Sequence, residues 1–108
     1  MLYLCNAFSP NMLPERRTYK FTFDPLDEEE VYELLQHDYV SAIGHESLSQ
    51  ILSERLQMPI AFNRIDVKLM NDDDDLLLAV ANVPRLAEGQ ILSKEEISNL
   101  SIGYWLMH

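Results

Sequence analysis

Apolar positions along the chain change period several times, and each change marks an element. Met1 to Phe8 is mostly apolar and reads as a buried strand, running into the polar turn Asn6-Ala7-Phe8-Ser9-Pro10-Asn11. Thr18 to Phe23 alternates, with Tyr19, Phe21 and Phe23 on one face and Thr18, Lys20 and Thr22 on the other, and Pro25 closes that predicted strand. Asp27 with Glu30 forms a capping pair, and Val31, Leu34 and Leu35 supply the inner face of a first helix. A second helix follows Gly44-His45, where Ser47 and Gln50 match the Ser-x-x-Gln capping pattern. Leu48, Ile51, Leu52 and Leu56 recur at helical spacing up to Pro59. Asn63 to Leu69 alternates again, pointing Ile65, Val67 and Leu69 inward and Arg64, Asp66 and Lys68 outward. With the acidic turn Asn71–Asp75 and the continuous apolar run Leu76–Ala81, it predicts a hairpin. Ser93 with Glu96 starts a third helix through Leu100, and Ile102 to Met107 is a last strand. The expected fold class is α/β (α+β): one domain over residues 1–108, a mixed sheet of about five strands packed with about three helices.

Composition narrows what such a domain does. A hydrophobic share of 47% with Trp105 and several Tyr and Phe implies a packed core and excludes a disordered chain. No apolar run approaches the roughly 20 residues of a membrane span, and Met1 is not followed by a basic-then-apolar leader. The lone Cys5 cannot form an intrachain disulfide and fits a cytoplasmic location, where it is expected as a small buried hydrophobe. A formal charge of −10 argues against a general binder of duplex nucleic acid. It fits a soluble protein with a repelling exterior, or a mimic of nucleic acid aimed at basic partners. A small anionic ligand remains compatible where cations gather in one pocket. Asp72 to Asp75 lacks the spaced oxygens, glycine and distal glutamate of an EF-hand loop, so a solvated turn is expected. Glu28 to Glu30 suits the positive end of its helix in the same way. Nothing has the spacing of a metal site, and no metal or cofactor is expected.

Gly44-His45-Glu46-Ser47 is the segment with chemistry in it. An imidazole at a helix start sits among amides that still lack partners, a place that attracts anions, and His is the side chain whose charge changes near neutrality. A helix cap that happens to be histidine explains the same four residues more simply. His37, at the end of the first helix, reads as a cap, and His108 as the terminal residue.

Four stretches in order resemble one family. Tyr3-Leu4-Cys5-Asn6-Ala7-Phe8-Ser9-Pro10-Asn11-Met12-Leu13 is similar to a strand running into Asn-Ala-Phe-Ser-x-Asn-Met. Ile43-Gly44-His45-Glu46-Ser47 is similar to a Gly-His-Asp/Glu-Ser motif, Asn63-Arg64-Ile65 to the start of a following strand, and Arg85-Leu86-Ala87-Glu88-Gly89-Gln90-Ile91-Leu92 to an Arg-Leu-x-Glu-Gly-x-Ile-Leu element. The chain thereby resembles the type III anti-CRISPR ring nucleases of archaeal viruses, phages and other mobile elements. The resemblance implies a homodimer that binds cyclic tetra-adenylate at its interface and cleaves it without metal, removing the signal that activates defence nucleases. It implies His45 as general acid and Glu88 and Arg85 as catalytic or positioning residues. Asn6, Ser9, Asn11, Ser47, Arg64 and Arg85 become ligand contacts. Ala81 stands where some of these proteins carry an amide, and Pro84 precedes Arg85.

The residue types suit that chemistry. In such a ring each ribose 2′-hydroxyl lies beside the scissile phosphate and can attack in line, so no external water needs activating. The protein supplies orientation, charge stabilisation and a proton for the leaving oxygen. Imidazolium at His45 can give that proton, while the positive helix end opposes its charge; Glu88, or alternatively Glu46, would offset this. Arg85 or Arg64 can grip phosphate oxygens through paired hydrogen bonds. Simpler readings stand beside each assignment: Arg85 and Glu88 as a helix surface pair, Asn6 to Asn11 as a turn, Arg64 as a partner of Asp66. The rival function is a non-catalytic acidic dimer that sequesters cyclic nucleotide or blocks a basic partner.

Overall fold

The computed structural model describes residues 1–81 and 92–108. Its elements are β1 (Leu2–Cys5), a 3-10 turn (Pro10–Met12), β2 (Phe23–Leu26), α1 (Glu28–Leu34), β3 (Tyr39–Ser41), α2 (Glu46–Leu56), β4 (Asp75–Ala81), α3 (Lys94–Ser98) and β5 (Ile102–Met107). The strands form one five-stranded sheet in the order β2-β5-β4-β1-β3. β1 runs parallel to both neighbours, β3 and β4, whereas β5 is antiparallel to β4 and β2. The mixed sheet with three helices is therefore the architecture expected from the sequence.

Parallel neighbours require long crossovers, and α1 and α2 are carried in them. Both helices pack on one face of the sheet, where Val31, Leu35, Leu48, Leu52 and Leu56 meet Leu4, Leu77, Ala79 and Tyr104. On the other face Leu76, Leu78, Cys5 and Met107 are covered by irregular chain: Val67 and Leu69 from one segment, Phe8, Met12, Leu13 and Phe21 from another. β4 is thus covered on both sides, which is why its sequence is continuously apolar. The start of α1 is capped as expected, with Asp27 accepting from the Glu30 amide at 2.8 Å and Glu30 from the Asp27 amide at 3.2 Å. Ser93 and Glu96 form the same reciprocal pair at 3.1 Å each.

Several expectations need correction. Residues 63–69 and β4 do not form a hairpin: both edges of β4 are taken, by β1 and β5, so residues 63–69 lie across the sheet face instead. Val67 and Leu69 do point inward, but Ile65 is 43% exposed. The strand expected over residues 18–23 begins only at Phe23 and includes Pro25, which an edge strand tolerates because its outward side has no ladder to donate to. Phe23 is 47% exposed, since the covering segments do not extend over β2. The first strand stops at Cys5, and β3, three residues long, had no sequence signal. Finally, α2 starts two residues earlier than its capping pattern implied: His45 is the N-cap, and Ser47 lies within the first turn.

Candidate functional site

The carboxyl ends of β1, β3 and β4 lie at one end of the sheet, because the three strands are parallel and in register, Leu4 opposite Ser41 and Cys5 opposite Leu78. Among these three strands β1 lies in the middle, with β3 on one side and β4 on the other. In sheets of this kind ligands settle in the crevice beyond the strand ends at such a point. Asn6, half-buried, leaves β1 at this end, and His45 is reached four residues after β3.

His45 is the N-cap of α2 with extended backbone (φ −121°, ψ 119°), and its side chain makes no capping hydrogen bond. The imidazole is exposed, as are Glu46 and Ser47 in the first helical turn. The first amides of that turn have no partner within the helix.

Arg64 is brought beside this turn by contacts twenty residues long in sequence. The Asn63 amide donates to the Ile43 carbonyl at 2.9 Å, and the Asn63 side-chain amide donates to the Ser41 carbonyl at 2.7 Å. Ser41 Oγ in turn donates to the Ala61 carbonyl at 2.6 Å. Gly44 completes the approach: a Cβ there would sit 3.6 Å from Arg64 Cγ, so the arginine stem runs along the residue preceding His45. Arg64 makes no ion pair with Asp66 among the described residues.

The other end of the same segment holds the 3-10 turn. The Leu69 amide donates to the Met12 carbonyl at 2.8 Å, and Lys68 Nζ donates to the Asn11 carbonyl. Ser9 caps that turn, its Oγ accepting from the Asn11 amide at 3.3 Å, with Pro10 preset for the first position. Ser9 and Asn11 border a cleft of about 370 Å³ against Ile65, Asp66 and Lys68. Thus one extended stretch, residues 62–69, ties the Ser9–Asn11 turn to the His45 helix start. Arg85 and Glu88 lie outside the described residues.

Cys5, directly before Asn6, is buried in the sheet, and burial pushes its thiol up to about 11. It stays protonated at neutral pH and is a packing residue, not a nucleophile. Among the described residues no three His, Cys, Asp or Glu side chains are grouped as metal ligands, and no helix is long and apolar enough to cross a membrane. Sequence reasoning missed Ser41, Asn63 as a bridge to Ser41, and Lys68. For Ser41 the available signal was a lone hydroxyl between apolar residues.

A parallel three-strand core flanked by an antiparallel pair, with polar residues at the carboxyl ends, defines a small α/β domain. Its family is shown by comparison: the STIV B116-like family model matches residues 2–106, and the chain belongs to that family. It is 33% identical over 108 residues to uncharacterized protein 26 of Sulfolobus islandicus filamentous virus, spanning 98% of this chain and 89% of that protein. It is 35% identical over 98 residues to uncharacterized protein ORF116 of Acidianus filamentous virus 1, spanning 91% and 83%. Among solved structures it is similar to B116 of Sulfolobus turreted icosahedral virus, with a TM-score of 0.80 and 34% identity over 98% of this chain and 97% of that one. The relatives are proteins of archaeal viruses.

Proposed function

We propose that the protein is a metal-independent ring nuclease that opens cyclic tetra-adenylate and so counters type III CRISPR signalling in the cytoplasm of an infected cell. The observation that carries this reading is that His45 is exposed with its side chain free of any capping bond, while the Arg64 stem runs along the preceding Gly44. The sequence resemblance supplies the ligand, and kinship with archaeal viral proteins agrees with it.

In the proposed reaction a ribose 2′-oxygen attacks the adjacent phosphorus as its hydroxyl proton departs to a base. The new P–O2′ bond forms while the P–O5′ bond breaks, leaving a 2′,3′-cyclic phosphate. His45 as imidazolium passes its proton to the departing 5′-oxygen, a contribution typically worth 10²–10⁴-fold. Arg64 and the first amides of α2 hold the phosphate oxygens. Asn6, Ser9, Asn11 and Ser47 meet ribose and adenine edges, and Arg85 and Glu88 complete the site as phosphate grip and carboxylate partner. The ligand is a four-fold repeat, so a two-fold homodimer presents two copies of His45 to opposite linkages and releases two dinucleotides.

The test is incubation of the protein with cyclic tetra-adenylate in excess chelator, products being identified by mass. Linear di-adenylate bearing a cyclic phosphate is expected. His45→Ala should retain binding while cleavage falls about 10²–10⁴-fold. An intact ring with tight binding by the unaltered protein would establish sequestration instead, and no binding at all would end the reading.

A further inference from the structure

Residues 57–63 carry the chain from the end of α2 to Arg64, and one helix side chain holds them. Gln57 ends α2 in the left-handed region (φ 52°, ψ 42°), and its amide and that of Met58 both donate to the Ser53 carbonyl. Pro59 has no N–H, so the next donor along the chain is the Ile60 amide, which reaches Ser53 Oγ at 2.9 Å. The hydroxyl proton of Ser53 points back to the Ser49 carbonyl at 2.7 Å, with the Ile60 carbonyl farther away at 3.3 Å. Ser49 Oγ donates in turn to the carbonyl of Glu46, the residue after His45, at 2.7 Å. Among the described residues no other side chain of α2 hydrogen-bonds to residues 57–63. Serine inside a helix is a poorer helix former than alanine, because its hydroxyl competes for backbone groups. What the hydroxyl adds at position 53 is the bond to Ile60. The far end of the stretch is held from β3, where Ser41 Oγ donates to the Ala61 carbonyl and Asn63 to the Ser41 carbonyl. Ser53 and Ser41 line one cleft of about 460 Å³ together with Ile60 and Ala61.

We infer that Ser53 is a positioning residue for the proposed reaction, acting through Arg64. The inference rests on the proposed function. Asn63 ties the segment before Arg64 to β3, whereas Ser53 ties it to α2, the helix that starts at His45. With both ties in place, residues 60–63 are clamped between helix and sheet, and Arg64 is the next residue along. Releasing the α2 tie leaves the guanidinium able to meet phosphate but no longer fixed relative to the imidazole. Misplacement of about 1 Å from a change remote from the chemistry can cost about 10²-fold in rate.

The experiment measures single-turnover cleavage of cyclic tetra-adenylate by the full-length protein over a range of ring concentrations, at a temperature where circular dichroism finds every variant folded. Ser53→Ala should lower the maximal rate about tenfold to a hundredfold while the half-saturating concentration moves less than about threefold, the split expected of a phosphate bound but misplaced. Ser53→Thr keeps the oxygen in a rotamer that bonds the preceding turn, and its methyl has room at the cleft, so it should restore the rate. In an Arg64→Ala background, adding Ser53→Ala should cost less than about twofold more, because the group it places is already gone. A merely structural role would lower the rate equally with and without Arg64. That result, or an unchanged rate in Ser53→Ala, overturns the inference while the proposed function stands. If the unaltered protein leaves the ring intact, both fall together.

Discussion

Three α-helices begin among the described residues, and their N-cap residues are used differently. Asp27 and Ser93 each accept a hydrogen bond from the amide three positions on, so their side chains are consumed in stabilising the helix. His45 makes no such bond. A residue that forgoes local stabilisation at a helix start, where Ser, Thr, Asp or Asn would contribute about 1 kcal/mol, is available for another task. The residue that sets this turn against Arg64 is Asn63. Replacing it with Ala removes its side-chain bond to the Ser41 carbonyl and should cost about 1 kcal/mol in chemical denaturation. It should also weaken cyclic nucleotide binding more than Arg64→Lys does, because the whole stretch loses its anchor. Unchanged affinity in Asn63→Ala would show that Arg64 is placed by other contacts. His45 was legible in sequence because helix starts announce themselves within four residues. The Asn63–Ser41 contact was not, since it joins segments 22 residues apart and leaves only two isolated polar residues as a trace.

At the level of elements the same division holds. α1, α2 and α3 were legible from their local spacing, and capping pairs fixed the starts of α1 and α3 but not that of α2. Residues 63–69 alternate as a strand would, yet do not form one: whether a segment pairs depends on which edges are vacant, and β1 and β5 already flank β4. The alternation instead reports one buried side over the sheet. Glu28 was misread for a similar reason. It belongs to an acidic helix start, but it also anchors α2 and β5, and through Arg55 it is linked to α3. Arg55 of α2 donates through Nε to Glu28 Oε1 at 3.3 Å and pairs through its terminal nitrogen with Oε2 at 3.0 Å. Its other terminal nitrogen donates to the carbonyls of Ile97 at 3.1 Å and Leu100 at 2.6 Å, closing the end of α3. Tyr104 of β5 donates its hydroxyl to Glu28 at 2.9 Å. Only a planar fork with several donors serves all of these acceptors at once. Arg55→Ala should therefore destabilise the protein by about 2–3 kcal/mol, with the cost shared between lost bonds and a half-buried Glu28 left without its counter-charge. Arg55→Lys should recover less than half. Thermal melts read both, and a loss below about 0.5 kcal/mol for Arg55→Ala would reduce the cluster to ordinary surface pairing.

For the molecule as a whole, packing irregular chain over one sheet face and helices over the other encloses acids that ionise only at high pH. Burial raises the Cys5 thiol to about 11. Burial raises Tyr39 above the ordinary phenol value, and Tyr104 is raised by burial first and then by its bond to the Glu28 carboxylate. In the unfolded chain a thiol loses its proton near about 8.5 and a phenol near about 10. Between those values and the raised folded ones, the folded state keeps protons that the unfolded state has released, so stability declines as pH rises. Below about pH 8 both states hold these protons and the three groups contribute no pH dependence. Added negative charge on a chain already at −10 works in the same direction. Urea midpoints should thus be level through neutrality and fall progressively from about pH 8.5 to 11. Cys5→Ala should lower the midpoint at pH 7 by leaving a small cavity, yet flatten the first part of the decline, and Tyr104→Phe should flatten the later part. These two variants separate the buried ionisations from general charge repulsion, which neither alters. A midpoint that stays level to pH 11, or a decline identical in all three proteins, would show that these groups reach solvent before the fold opens. The close covering of the sheet by the 3-10 turn and residues 65–69, on which the placement of the candidate cleft depends, would then be looser than the structure has it.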